Sequence, residues 1–171
     1  RQINGFGRIG RLVLRALCES KRKDIKIVAI NDLGSPEANA HLFKYDTVHG
    51  QFPGKIIVKN NSFDVGLGAI KVFSEKDPAD LPWKKLNVDV VLECTGLFSN
   101  REMSQKHLTA GAKKVLISAP ADEVDCTVVF GVNHKQLTKK HSIVSNASCT
   151  TNCLAPIASV LHKDCLLYTS P

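Results

Sequence analysis

The six residues GFGRIG, Gly5 to Gly10, constrain this chain more than any other stretch. A short strand-like lead, Arg1 to Asn4, precedes them. From Arg8 onward the apolar residues fall at Ile9, Leu12, Val13, Ala16 and Leu17. That is the stripe of an amphipathic helix, fading near Ser20 before the charged turn Lys21 to Asp24. The run IKIVAIN, Ile25 to Asn31, is β-branched and largely apolar, as expected of a buried parallel strand. Asp32 follows it directly. Strand, glycine turn, helix, strand and acid describe a right-handed βαβ unit.

In that context the glycines have separate tasks. Gly5 permits the tight turn out of the strand. Gly7 lets backbone approach a pyrophosphate, and Gly10 lets the helix pack close to the sheet. The helix N-terminus after Gly7 offers free N–H groups and partial positive charge to phosphates. Asp32 stands where a ribose-binding acid belongs. Its carboxylate accepts hydrogen bonds from ribose hydroxyls and repels a 2′-phosphate, and Leu33 brings no positive charge to offset that. The expected cofactor is NAD rather than NADP.

The rest of the chain keeps the same rhythm. Ser35-Pro36 reads as an N-cap and first helical residue, opening a helix with Ala38, Leu42 and Phe43. Lys55 to Lys59, Ser62 to Val65 and Ala69 to Phe73 read as three strands of an antiparallel meander. VDVVLE (Val88 to Glu93), KVLIS (Lys114 to Ser118), TVVF (Thr127 to Phe130) and SIVS (Ser142 to Ser145) read as further strands. Asn100 caps a helix that Gly111 ends. A last helix starts near Ser148 or Cys149, with Leu154, Ile157, Ala158 and Leu161 on its apolar face. The expected class is α/β: a Rossmann-like, doubly wound, mostly parallel sheet with a small antiparallel meander insertion.

The stretch SNASCTTNC, Ser145 to Cys153, holds two of six irregularly spaced cysteines. Irregular spacing in apolar segments suits a reduced protein better than a disulfide framework. No CxxC pair occurs, so no metal site is expected. The thiolate is the attacking form of cysteine, and a helix N-terminus favours it. Cys149 opens a helix at the carboxyl edge of the sheet, which makes it the candidate nucleophile. Ser148, Thr150 and Thr151 add hydroxyl donors there. Cys153, one turn further on, is expected to be a small buried residue. A cysteine nucleophile needs a base, yet no motif nominates any of His41, His49, His107, His134, His141 or His162.

The formal charge is +7, with basic residues in scattered pairs and triplets. This suits a solvated surface with some attraction for an anionic ligand. Nucleic-acid binding is not favoured, because no basic stripe is interleaved with aromatics. No apolar run reaches the roughly 20 residues that span a bilayer. The given residues enter the glycine motif directly, so no leader is expected among them. A cytoplasmic protein is the expectation.

The motifs INGFGRIGR (Ile3 to Arg11), AIND (Ala29 to Asp32), KYDTVHG (Lys44 to Gly50), AGAKKVLISAP (Ala110 to Pro120), GVNH (Gly131 to His134) and SNASCTTNCLAP (Ser145 to Pro156) stand in order. Together they resemble glyceraldehyde-3-phosphate dehydrogenase, a glycolytic enzyme, from about Ile3 to His162. The resemblance implies that Gly5, Gly7, Arg8, Ile9 and Gly10 form the cofactor-binding turn, with Arg8 and Ile9 meeting the NAD pyrophosphate through their backbone, and that Asp32 binds the adenosine ribose. Lys76 stands where the family often has arginine, keeping the charge without the planar fork. Ser118 would lie on the nicotinamide side. Cys149 would be the catalytic nucleophile, and Ser148, Cys149 and Thr150 would line the substrate region. The implied partners are glyceraldehyde 3-phosphate, inorganic phosphate and three further copies in a homotetramer.

The resemblance also sets expected boundaries. Residues 1–148 would form the NAD-binding domain. Residues 149–171 would be the first helix of a catalytic domain cut short, with a tail unlike the family from about Lys163. The family's histidine base comes from a second domain, so the chain as given is expected to show no useful turnover. Erythrose-4-phosphate dehydrogenase shares nearly all these motifs and remains the alternative reading. A non-catalytic nucleotide- or RNA-binding module is the other.

Overall fold

The computed structural model describes residues 1–20 and 22–165. Lys21, in the expected charged turn, and the expected tail beyond Cys165 lie outside them. The chain runs β1 (Gln2–Asn4), α1 (Arg8–Glu19), β2 (Ala29–Asn31), α2 (Pro36–Lys44), β3 (Tyr45–Asp46), β4 (Gly50–Gln51), β5 (Ile57–Lys59), β6 (Ser62–Asp64) and β7 (Ile70–Phe73). A 3-10 turn (Pro78–Asp80) leads to β8 (Val90–Glu93), α3 (Arg101–Thr109), β9 (Lys114–Ile117) and β10 (Cys126–Thr127). A second 3-10 turn (His134–Gln136) precedes β11 (Ile143–Ser145) and α4 (Cys149–Cys165).

Among the described residues, nine strands form one sheet in the order β10-β11-β9-β8-β1-β2-β7-β6-β5. β1 is the central strand, parallel to β2 and β8, with Ile3 opposite both Ile30 and Leu92. β9, β11 and β10 extend the parallel ladder on one side and β7 on the other. The expected meander is there: β6 and β5 continue antiparallel from β7, which is itself built into the main sheet. A separate antiparallel pair, β3 and β4, had no counterpart in the sequence reading.

Several strands are shorter than expected. The run from Ile25 pairs as β2 only from Ala29, and of the run from Thr127 only Thr127 itself pairs, as the second residue of β10 after Cys126. A strand extends only as far as its partner, and β1 offers three residues. Successive β2 residues enter opposite faces: Ile30 joins a cluster with Phe6, Leu14, Phe43 and Phe63, and Ala29 joins one with Trp83, Val91 and Ile117.

The helices follow their caps. Ser35 Oγ accepts from Ala38 N at 3.2 Å, and Pro36 opens α2. Asn100 Oδ1 accepts from Met103 N at 2.8 Å, and Gly111, at φ +107°, follows α3. The expected face of α1 needs correction. Its buried residues are Gly10, Leu14, Arg15 and Leu17, whereas Ile9 and Ala16 are exposed. Arg15 goes inside because three carbonyls, those of Phe43, Lys44 and Gly50, take its guanidinium. The ring of Phe43 also lies under that guanidinium. A buried charge needs such partners.

Candidate functional site

The parallel strands of the sheet centre all end at one edge, and three end in polar residues: Asn4, Asn31 and Glu93. The chain leaves β1 for β2 on one side, while β8 pairs on the other. This is a topological switch point, where open α/β sheets bind ligands. A cleft of about 520 Å³ lies there. Gly5, Gly7, Asp32 and Lys76, all singled out from the sequence, line it.

The three motif glycines differ in what confines them. A Cβ on Gly5 would meet Thr95 N at 2.7 Å, and its φ is +83°. A Cβ on Gly10 would fall 2.1 Å from the Gly5 carbonyl oxygen. Both are held by intramolecular packing. A Cβ on Gly7 would meet nothing within 4 Å, and its φ of −67° suits any residue. No contact within the described residues demands a glycine there, and it faces the cleft. Gly7 is also the N-cap of α1, with no side-chain capping bond and no acid in the first turn. The first N–H groups of the helix, those of Arg8 and Ile9 among them, are therefore open to an anion.

Asp32 is held by backbone. Its Oδ2 accepts from Phe6 N at 2.7 Å, and its Oδ1 accepts from Gly34 N at 2.9 Å. The glycine turn and the ribose-class acid are thus one unit. The Arg8 side chain turns to Asp46, Nη1 to Oδ2 at 3.3 Å, leaving only its backbone at the helix end.

The line of the edge leads on to Cys149. Cys94 N donates to Asn4 O, Ser118 N to Glu93 O, and Asn146 N to Ile117 O. From the end of β8 to that of β11 is two strand spacings, roughly 10 Å. Ser118, Ser148, Cys149 and Thr150 share this edge without lining the cleft. Ala147 takes a left-handed φ of +58°, and Ser148 then caps α4, its Oγ accepting from Thr151 N at 2.9 Å. Ser148 Oγ also lies within hydrogen-bond distance of the Thr150 and Thr151 hydroxyls, at 2.9 and 2.7 Å. Cys149 is exposed at the first helical position. The cysteine within the cleft, Cys94, is different: burial pushes its thiol up to about 11, so it stays protonated near neutral pH. Cys153 is exposed, against expectation. Leu154, Ile157 and Leu161 are exposed with it, because the α4 face expected to be buried points to solvent. His162 lies thirteen residues along α4 from Cys149, roughly 20 Å away.

Sequence reading missed Asn4, Asn31, Glu75, Thr95, Leu97 and Phe98 as lining residues. The available signal was that β1, β2 and β8 each end in a polar residue at the carboxyl edge.

Residues 2–101 match the family model described as glyceraldehyde 3-phosphate dehydrogenase, NAD binding domain. The glyceraldehyde-3-phosphate dehydrogenase of Xanthobacter flavus is 63% identical over 160 residues, 94% of this chain and 48% of that protein. That of Pseudomonas aeruginosa is 60% identical over 163 residues, 95% of this chain and 49% of its own length. That of Thermotoga maritima is 58% identical over 161 residues, covering 94% and 48%. The chain spans about half the length of the curated relatives it matches.

Proposed function

The chain belongs to the glyceraldehyde-3-phosphate dehydrogenase family and carries its NAD-binding domain, and from that premise we propose that it serves in the phosphorylating oxidation of glyceraldehyde 3-phosphate. In this reading residues 1–148 are the cofactor domain, and α4 begins the substrate side. The carrying observation is Gly7: it lines the cleft with Asp32 at the uncapped N-terminus of α1, and the space where a Cβ would stand is left open to a ligand.

The residues present fit NAD. Asp32 receives the adenosine ribose on lone pairs left free by Phe6 N and Gly34 N. Leu33, Leu97 and Phe98 give the cleft the apolar walls an adenine ring needs. The pyrophosphate meets the open N–H groups after Gly7, with Lys76 adding positive charge from the cleft wall. Ser118 and Cys149, further along the same edge, would face the remaining half of the cofactor. NAD, when bound, supplies the hydride acceptor.

Cys149 Sγ adds to the aldehyde carbon to give a hemithioacetal. Once hydride has left that carbon for the bound acceptor and the hydroxyl proton has gone to the base that the family takes from its second domain, Sγ carries the acyl group as a thioester. Inorganic phosphate then removes it as 1,3-bisphosphoglycerate and frees the thiolate. The hydroxyls of Ser148 and Thr150 and the N–H groups at the start of α4 donate to substrate and phosphate oxygens. The same reading implies a homotetramer in the cytoplasm. No helix among the described residues is long and apolar enough to cross a membrane.

Calorimetry with NAD and NADP tests the cofactor assignment. The unsubstituted chain should bind NAD more tightly. In Asp32→Ala the preference should shrink by about tenfold, the weight of roughly one charged hydrogen bond. An unchanged preference would remove Asp32 from the ribose site.

A further inference from the structure

A buried polar chain runs beneath the cleft and takes no part in the chemistry above. Glu93 is 1% exposed, and four donors converge on its carboxylate. Asn4 Nδ2 donates to Oε2 at 2.6 Å, and His107 Nε2 lies 3.0 Å from the same oxygen. Thr95 donates its N–H to Oε1 at 2.8 Å and its hydroxyl to that oxygen as well. Trp83 Nε1 donates to His107 Nδ1 at 3.2 Å. That fixes the tautomer: Nδ1 accepts, so Nε2 carries the proton and donates to Glu93.

The chain reaches both walls of the cleft. On one side Asn31 Nδ2 donates to Asn4 Oδ1 at 2.7 Å, and Asn31 Oδ1 accepts from Glu75 N at 2.8 Å. On the other, Thr95 Oγ1 accepts from Leu97 N at 3.0 Å, and the Phe98 ring stands edge-on to His107 at 6.1 Å. Neither Glu93 nor His107 lines the cleft. For stability alone, apolar side chains of similar volume would serve as well as a buried, fully bonded carboxylate. A satisfied network of this kind instead fixes one geometry.

We propose that Glu93 is the positioning residue of the cleft: through Asn4 and Thr95 its carboxylate sets the spacing between the Asn31 wall and the Leu97–Phe98 wall, and so the slot for the adenine ring. This rests on the dinucleotide reading above. The gain is preorganisation, since the slot need not be ordered when the ligand arrives. Trp83, the one tryptophan of the chain, sits at the far end of the relay and reports on it.

The test is calorimetry with adenosine monophosphate and with NAD, at a temperature where circular dichroism finds every variant folded, together with Trp83 emission on adding adenosine monophosphate. Glu93→Gln leaves one acceptor oxygen where four donors converge. Both affinities should fall about tenfold, and the ligand-dependent change in Trp83 emission should disappear. His107→Leu, which touches no ligand, should act in the same direction. His107→Gln keeps a donor that reaches Glu93 and should restore most of the affinity, which guards against a variant that merely fails to fold. Unchanged affinities alongside a lower melting temperature would make the network purely structural and overturn the proposal. If the unsubstituted chain binds neither ligand, the dinucleotide reading itself falls, and this proposal with it.

Discussion

Gln2 shows how much one side chain in the centre of a sheet matters. It is fully buried between Ala29 and Val91, and neither its Oε1 nor its Nε2 finds a partner. An amide left unpaired in such a place costs about 1–3 kcal/mol. Gln2→Met keeps the length and removes the polar atoms. It should stabilise the fold by that amount, read as a higher denaturant midpoint at constant slope. An unchanged midpoint would mean that the amide is solvated after all. The same scale limits what the sequence can tell. The glycine motif and Asp32 were legible because each answers to a backbone or charge requirement stated by its position. Glu93 and His107 were not. Glu93 reads as the end of a strand and His107 as one more histidine on a polar helix, and only the register that sets β8 beside β1 brings Asn4 to Glu93.

Among elements, Asp125 ties α3 to β11. Its carboxylate accepts from Ile143 N at 2.9 Å and from Ser142 N at 2.6 Å, and pairs with Arg101 at the start of α3. The Ile143 and Ser142 N–H groups, with the Arg101 guanidinium, hold it down at about 2, below its ordinary value. A carboxyl depressed in the folded state stabilises it fully above its unfolded value, roughly 4. That contribution is lost as pH falls from there towards 2, where the folded protein too takes up the proton. Melting temperatures measured by calorimetry should therefore drop across this window. Asp125→Asn should melt lower than the unsubstituted chain at neutral pH and show a flatter acid limb; parallel acid limbs would refute the link. Element type was well read from sequence, since caps such as Asn100 and the switch of period from helix to strand are local signals. Element length was not, because strand pairing is non-local.

At the scale of the described molecule, α4 carries a run of exposed apolar side chains. Leu154 is 64% exposed, Ile157 56% and Val160 58%. The periodicity that nominated an apolar face was real, but periodicity does not say what lies opposite. A contiguous exposed apolar patch favours association. The double variant Leu154→Glu, Ile157→Lys should reduce light scattering and hydrophobic-dye binding. Each substitution should change stability by no more than about 0.5 kcal/mol, as at other surface positions. A collapse in melting temperature would show that this face is packed in solution.

The place of β1 has one more consequence, for the order in which the fold can be made. Gln2–Asn4 is the central strand, yet its partner β8 ends at Glu93, 89 residues later. At about 5–20 residues per second on the ribosome, that strand waits roughly 5–20 seconds for one of its two neighbours. The first of the described strands to leave the tunnel is thus fully paired only after β2, β5, β6 and β7, and until Glu93 has emerged the floor of the cleft does not exist.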